Sequence, residues 1–349
     1  MKKLLTVILS LLILLSGCTF SFTVPKILRE TNTEPSNTTE IPNGEMNVHF
    51  IDVGQGDCIF IQTDDENMLI DAGNPENGAD IAAYLHSLGV TRLNDFIGTH
   101  PHADHLGGGA YIVREFNPEH IYMTEMVSSS YFFEKLLDTI DDMDISVETP
   151  KIGALYRKGS LNVKFLGPKK EFSGTNDNSI ITRVDFGNTS ALFTGDAEKA
   201  AEYELLSADA DLDVDLFKAG HHGSSTSNIP EFLKAVSPEI AVIQCGRNNS
   251  YGHPHHETIE RFKNLGADIY RCDEMGTIIL KSDGERFVYV KSETISGDNE
   301  STLYIGNIKS KVFHLSTCKN LPSKANSVYF KTRIQAIEQG YKACGNCRP

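Results

Sequence analysis

The sequence predicts an α/β layered domain. Short apolar, strand-like runs alternate with amphipathic helical stretches from residue 46 to residue 292, and metal-binding residue types sit just past the ends of several of those runs. Size agrees: 349 residues, 40% of them hydrophobic, suffice for one large domain with additions.

Taken in order, MNVHFIDVGQGDCIFIQT followed by NMLIDAG reads as two strands joined by a turn. NPENGADIAAYLHSLGV then places Ile81, Tyr84, Leu85 and Leu88 at helical spacing, with Asn77 as the cap and Gly89 as the stop. DFIGTH is the next strand. LNVKFLGP, SIITRVDFG and SALFTGD are strand-like, AEKAAEYELLS helical, DVDLFKAG a strand and IPEFLKAVS a helix. EIAVIQCG, HHETIERFKNLG, DIYRCD and GTIILKSDGERFVYVKS complete the domain at residue 292. Residues 293–301 read as a linker and 302–349 as a separate small module.

The N-terminus reads as an address. MKK is a positive start, LLTVILSLLILL an apolar core shorter than the ~20 residues a membrane span needs, and LSGC at 15–18 has the pattern of a bacterial lipoprotein signal. Residues 1–18 are therefore expected to be the signal and lipobox, with Cys18 lipidated and the domains outside the cytoplasmic membrane. Residues 19–45, rich in Thr, Asn, Pro and Glu, cannot bury enough surface to fold. They form a tether reaching ~30 Å at 5–6 Å times the square root of its length. The net charge of −15 argues against a nucleic-acid-coating protein, though bound divalent cations would let an acidic chain handle phosphodiesters. Cys58, Cys245 and Cys272 lie in or beside apolar runs and read as small core residues.

THPHADHLGG, at 99–108, is the densest signal. His100 and His102, alternate residues of an extended segment, can point at one metal, while Asp104 and His105 take a second. Asp196 in SALFTGD follows another strand, where its carboxylate can bridge the two ions. Asp71 in LIDAG suits a role behind a ligand histidine, accepting its hydrogen bond. KAGHHGSS offers His221 and His222, of which His222 is the expected ligand and His221 the substrate contact. Ser224 can donate to a phosphate or cap its turn. In CGRNNSYGHPH, Arg247 can pair with a phosphate and His253 can orient the substrate or protonate a leaving oxygen.

LIDAG, THPHADHLGG, LFTGD and KAGHHGSS together resemble the metallo-β-lactamase fold. HFIDVGQGDCIFI and NSYGHPHHETI further resemble the soluble hydrolase domain of ComEC competence proteins, and phosphorylcholine esterases share the layout. The resemblance implies a four-layer αββα sandwich with a dinuclear site between the sheets. Many members of that fold place a third histidine on the first metal. Here no histidine lies between His120 and His221, and Asn178 or Asp177 of TNDNSIITRV is expected to stand in with an oxygen, which makes manganese as suitable as zinc.

In the last module His314, Cys318, Cys344 and Cys347 have the H-x3-C and C-x2-C spacing of a closed zinc site, a disulfide between two of the cysteines being the alternative. So small a segment needs the ion to fold. The stretch resembles the metal-binding domain of Ada, the DNA alkyl-repair protein. His314 stands where that family has its methyl-accepting cysteine, and imidazole is no zinc-activated thiolate, so repair activity is not implied. Lys309, Lys311, Lys319, Lys324, Lys331 and Arg333 make the module locally basic, which suits DNA contact or a solvated face.

The expectation is an exported, lipid-anchored hydrolase with two zinc or manganese ions, acting on DNA or another phosphodiester. A phosphorylcholine esterase is the enzyme alternative, although a chain without Trp lacks an aromatic choline-binding repeat. A non-catalytic DNA-capture lipoprotein is the other. No motif points to a protein partner.

Overall fold

The computed structural model describes residues 44–126, 128–208, 210–290, 304–315, 318–330, 336, 339–344 and 347. Cys18, the signal, nearly all of the tether, the linker at 293–301, Lys331 and Arg333 lie outside the described residues.

Among the described residues, two large sheets face each other. The first runs in the order Phe287–Val290, Ile278–Ser282, Met46–Phe50, Ile59–Gln62, Asn67–Ile70, Asp95–Gly98, His120–Met123 and Val147–Glu148. The second runs Asp268–Arg271, Ile240–Ile243, Leu216–Lys218, Thr189–Phe193, Ile181–Phe186, Leu161–Gly167 and Leu155–Lys158. Strand alternation sorts the side chains into layers. Ile59 and Ile61 face the second sheet, while Phe60 between them faces the helices. The inner layer packs Val48, Phe50 and Ile70 against Val163, Phe165, Val184 and Phe193, and the Phe50 and Phe193 rings meet at 6.3 Å.

Outside the first sheet, Ile81, Leu85, Ile112 and Leu136 from the helices Gly78–Ser87, Gly109–Phe116 and Tyr131–Asp142 cover Leu69 and Phe96. Outside the second, Leu205, Phe232 and Phe262 from Lys199–Ser207, Pro230–Val236 and His256–Leu265 cover Leu192 and Phe217. Each such side chain contributes about 1.5–3 kcal/mol by leaving water. The architecture is the four-layer αββα sandwich.

Polarity places the site. Asn67–Ile70, Asp95–Gly98 and His120–Met123 are mutually parallel, as are Thr189–Phe193, Leu216–Lys218, Ile240–Ile243 and Asp268–Arg271. Loops leaving the carboxyl ends of parallel strands are where open α/β sheets put their ligands.

Two local expectations need correction. The run 46–62 is two strands, not one: Gly54 and Gly56 take positive φ (72° and 145°), and the chain doubles back so that Met46–Phe50 pairs antiparallel with Ile59–Gln62. Asn77 does not cap its helix, because its Oδ1 accepts from the backbone N–H of Asn74 (2.7 Å) instead. Gly89, at φ 81°, does end that helix, donating to the His86 carbonyl.

In the C-terminal module the described strands order as Ser327–Phe330, Tyr304–Asn307, Val312–Leu315 and Lys342–Ala343, around a small core of Phe313, Phe330, Ala336 and Tyr341. Among the described residues no helix is long and apolar enough to cross a membrane.

Candidate metal centre

Both sheets deliver chemistry to one spot. The strand Asp95–Gly98 ends in Thr99–His105, Thr189–Phe193 in Asp196, and Leu216–Lys218 in His221 and His222. The two last histidines hold consecutive left-handed conformations (φ 48° and 54°), a strain of order 1–3 kcal/mol per non-glycine residue that aims both rings toward Asp196. The chain also passes closely beneath: a Cβ on Gly108 would collide with the carbonyl of Ala72.

Asp196 divides the site in two. Its Oδ1 lies 3.2 Å from His105 Nε2 and 3.5 Å from His222 Nε2, and His222 Nε2 is 3.3 Å from Asp104 Oδ2. Its Oδ2 lies 3.8 Å from His100 Nε2 and 3.6 Å from His221 Nε2, and His100 Nε2 faces His102 Nδ1 at 2.9 Å. Asp196 Oδ1, His105 Nε2 and His222 Nε2 are buried and make no well-formed hydrogen bond. Leaving such atoms orphaned costs about 1–3 kcal/mol each, and a shared cation removes the cost. The donors fit divalent ions. His105, His222 and Asp196 have ligand atoms within 4.8 Å of one another, as do His100, His102 and Asp196.

Behind the ligands stand two buried carboxylates. Asp71 accepts from the Thr99 N–H (2.8 Å), the Thr99 hydroxyl (2.7 Å) and His105 Nδ1 (2.7 Å), which fixes the His105 ring with Nε2 toward Asp196. Asp57, from the turn that interrupts residues 46–62, lies 3.1 Å from His222 Nδ1 and 2.8 Å from Lys218 Nζ. Its carboxylate lies within 4.8 Å of the ligand atoms of His105, His222 and Asp196. It meets, however, the Nδ1 edge of His222, opposite the Nε2 that faces Asp104; that edge is hydrogen-bonded to the Gln244 carbonyl (3.1 Å), and the two together orient the ring. Gln244 ties the two sheets together here, donating to the Ile51 and Cys58 carbonyls (3.0 and 2.9 Å).

The electrostatics suit a cation. Burial would raise the Asp104 carboxyl, but the adjacent His222 and His105 imidazoles hold it well below the usual range. Burial would lower His222, yet Asp196 and Asp57 push it up to about 9.

Residues 51–247 match the metallo-beta-lactamase superfamily, which spans more than half of the chain. The chain belongs to this superfamily. Residues 294–349 match the metal binding domain of Ada. This metallo-beta-lactamase relative is 27% identical over 255 residues to ComE operon protein 3 of Bacillus subtilis, covering 68% of this chain and 33% of that protein. It is 28% identical over 241 residues to competence protein ComA of Neisseria gonorrhoeae, covering 68% and 32%. The chain thus spans about a third of the length of the curated relatives it matches. Among solved structures it is similar to the metallo-beta-lactamase fold protein YhfI from Bacillus subtilis, with 13% identity, a TM-score of 0.48, and coverage of 68% of this chain and 100% of that one. The metallo-beta-lactamase fold of this chain belongs to a metal-dependent hydrolase related to competence proteins.

Four expected site residues are placed elsewhere in this metallo-beta-lactamase domain. Asn178 is not turned to the metal side: its Nδ2 donates to the Phe172 and Gly174 carbonyls and its Oδ1 accepts from the Phe172 N–H, so the whole amide holds the loop. Asp177 is also spent, accepting from the N–H groups of Glu198 and Ala201 at a helix start. Arg247 does not face the cavity; its Nε donates to the Asp273 carbonyl (2.9 Å). Ser224 is buried and pairs with Thr226 (3.0 Å), which makes it a turn residue and not a phosphate donor.

The cavity in front of the centre measures about 360 Å³ and is lined by Gln55, His102, Asp104, Asn176, Asp196, His221, His222, Tyr251 and His253. His221 is steered by Glu198, whose Oε1 is 3.1 Å from Nδ1. His253 lies beside it, and burial, together with the neighbouring His222 and His221, pushes its imidazole down to about 4. It is therefore neutral at pH 7 in the metal-free protein, which suits an orienting contact and removes it as an imidazolium donor there. Sequence reasoning missed Asp57, Gln55, Asn176, Glu198 and Tyr251. The DVGQGD motif carried the only signal for Asp57, an acid directly after the second of two closely spaced glycines.

In the C-terminal module His314, Cys318, Cys344 and Cys347 come within 4.8 Å of one another. His314 Nδ1 is 3.3 Å from Cys318 Sγ, and the Asn320 N–H donates to the same sulfur (3.5 Å). Burial and the adjoining Cys318 and Cys344 push the Cys347 thiol up to about 11, against the opposing N–H of Leu315. Three thiols and an imidazole converging in this way fit a tetrahedral cation such as zinc.

Proposed function

We propose that the chain is an exported phosphodiesterase, lipid-anchored at Cys18, that hydrolyses DNA with two divalent ions, zinc or manganese. The observation that carries this reading is the division of Asp196, each oxygen facing two imidazole nitrogens at the mouth of one polar cavity. His100, His102 and Asp196 Oδ2 would hold one ion; Asp104, His105, His222 and Asp196 Oδ1 would hold the other. When bound, such a pair supplies hydroxide at neutral pH and positive charge for the oxygens of a phosphodiester.

The chain's own groups do the rest. Asp71 and Asp57 fix two ligand rings. His221, held at Nδ1 by Glu198, presents Nε2 to the substrate, and His253 offers a further hydrogen bond beside it. The competence-protein relatives favour a nucleic acid among phosphodiesters. The domain from 46 to 292 would carry the chemistry, and residues 302–349 would form a zinc-stabilised module held by His314, Cys318, Cys344 and Cys347. Its exposed Lys309, Lys319 and Lys324 favour DNA contact.

The test is substrate class. The full-length protein, loaded with manganese or zinc, is offered single- and double-stranded DNA, bis-nitrophenyl phosphate, nitrophenyl acetate and a β-lactam. Turnover of the phosphodiesters over the carbonyl compounds is expected. Turnover confined to the carbonyl compounds would overturn the phosphodiester reading.

A further inference from the structure

The superfamily's usual third histidine is missing here, and the two residues expected to replace it are engaged elsewhere. In the turn Asn176–Asn178 and the residue after it, the side-chain groups can be accounted for in order. The Asn178 amide closes the loop on Phe172 and Gly174. Asp177 accepts from two helix N–H groups. The Ser179 hydroxyl donates to the Asn176 carbonyl, accepts from the Asp196 N–H (3.1 Å) and lies 3.2 Å from His100 Nδ1. One atom is left over: Asn176 Oδ1 is buried with no hydrogen-bond partner. It belongs to a residue that lines the metal cavity with His102, Asp196 and His221.

Its orientation is set. Asn176 Nδ2 donates to Glu198 Oε1 (3.3 Å), the oxygen that also takes the Thr226 hydroxyl (3.0 Å) and His221 Nδ1 (3.1 Å). Rotating the amide would set its carbonyl against a carboxylate, two acceptors face to face, so the nitrogen stays on Glu198 and Oδ1 points away from it. Asn176 Oδ1 is also in the same condition as His105 Nε2, His222 Nε2 and Asp196 Oδ1, a buried polar atom beside the cavity without a partner.

We propose that Asn176 Oδ1 is the oxygen donor on the Oδ2 side of Asp196, taking the place of the third histidine, with Glu198 as the residue that positions it. The inference rests on the dinuclear reading above. It gives the His100–His102 side two imidazoles, a carboxylate oxygen and an amide oxygen, a harder set than three imidazoles and one better suited to manganese.

The test is metal uptake by the full-length protein, followed by calorimetry and by metal analysis after dialysis. The comparison is wild type, Asn176→Ala and Asn176→His. In Asn176→Ala one of two sites is expected to lose affinity by about tenfold or more, the effect of removing a group that holds or steers a bound metal. Asn176→His should bind two ions in the sandwich, beside the zinc of the C-terminal module, and shift its preference from manganese toward zinc. Wild-type affinity at both sites in Asn176→Ala would overturn the proposal. So would loss of both sites in both variants, which would mark Asn176 as a structural residue. A wild-type chain that takes up a single ion in this domain contradicts the dinuclear reading itself, and the inference with it.

Discussion

Lys218 Nζ lies 2.8 Å from Asp57 Oδ2, and both side chains are completely buried. The pair continues to the metal side through Asp57 Oδ1, 3.1 Å from His222 Nδ1. Burial would raise the Asp57 carboxyl, but Lys218 first and His222 second outweigh it and bring it down to about 2. Truncating Lys218 to Met leaves that carboxylate buried without its cation, a loss of about 3–5 kcal/mol. Urea unfolding of Lys218→Met measures it, and a change under ~1 kcal/mol would mean that the pair contributes little beyond its own desolvation.

Metal uptake should release protons. Asp196 and Asp57 hold metal-free His222 at about 9, so at pH 7 it carries a proton on the ring the ion must bind. Apparent affinity should therefore rise about tenfold per pH unit for each displaced proton, levelling near pH 9. Because this folded value lies above the ordinary 6.5, the stability His222 brings to the metal-free protein is complete below pH 6.5 and is lost as pH rises through about 9. Calorimetry in buffers of different ionisation enthalpy counts the protons. A buffer-independent heat at pH 7 would contradict the charged His222.

Tyr251 stands at the cavity rim, 65% exposed and stacked on His253 with centroids 5.6 Å apart. Its loop is pinned by Asn249, which donates to the Gly246 and His253 carbonyls and accepts from the N–H groups of Tyr251 and His253. A positioned aromatic face suits a nucleobase, with stacking worth ~1–3 kcal/mol. Tyr251→Ala should raise KM for oligonucleotides by about tenfold while Tyr251→Phe keeps the wild-type value. An unchanged KM in the alanine variant would remove Tyr251 from substrate contact.

Removing zinc from the C-terminal module should unfold it, since its described core is only Phe313, Phe330, Ala336 and Tyr341. Cys344→Ser, or a strong chelator, should collapse the dispersed amide signals of residues 304–344 in NMR spectra and leave those of the sandwich in place. Retained dispersion without zinc would show that the small core holds by itself.

The candidate ligand histidines and Asp196 are legible in the sequence because each directly follows an apolar strand, so strand periodicity alone places them at one edge. The strands and helices after residue 160 are legible for the same reason. The stretch 109–158 is less so: strands such as His120–Met123 and Val147–Glu148 are too short to show a period. Asp57 is hidden by the apolar run around it, where only the φ values of Gly54 and Gly56 reveal a turn. Choosing among Asn176, Asp177 and Asn178 is beyond sequence reading, because the side chains differ only in which backbone groups the folded loop brings to them.

The most direct test of a dinuclear phosphodiesterase is metal-dependent cleavage of linear DNA by the full-length protein, run beside Asp196→Asn and Asp104→Ala/His105→Ala. Cleavage that needs manganese or zinc, and falls by several orders of magnitude in both variants, is the expected result. No cleavage with either metal, from a wild-type chain shown to hold two ions in the sandwich, would contradict it.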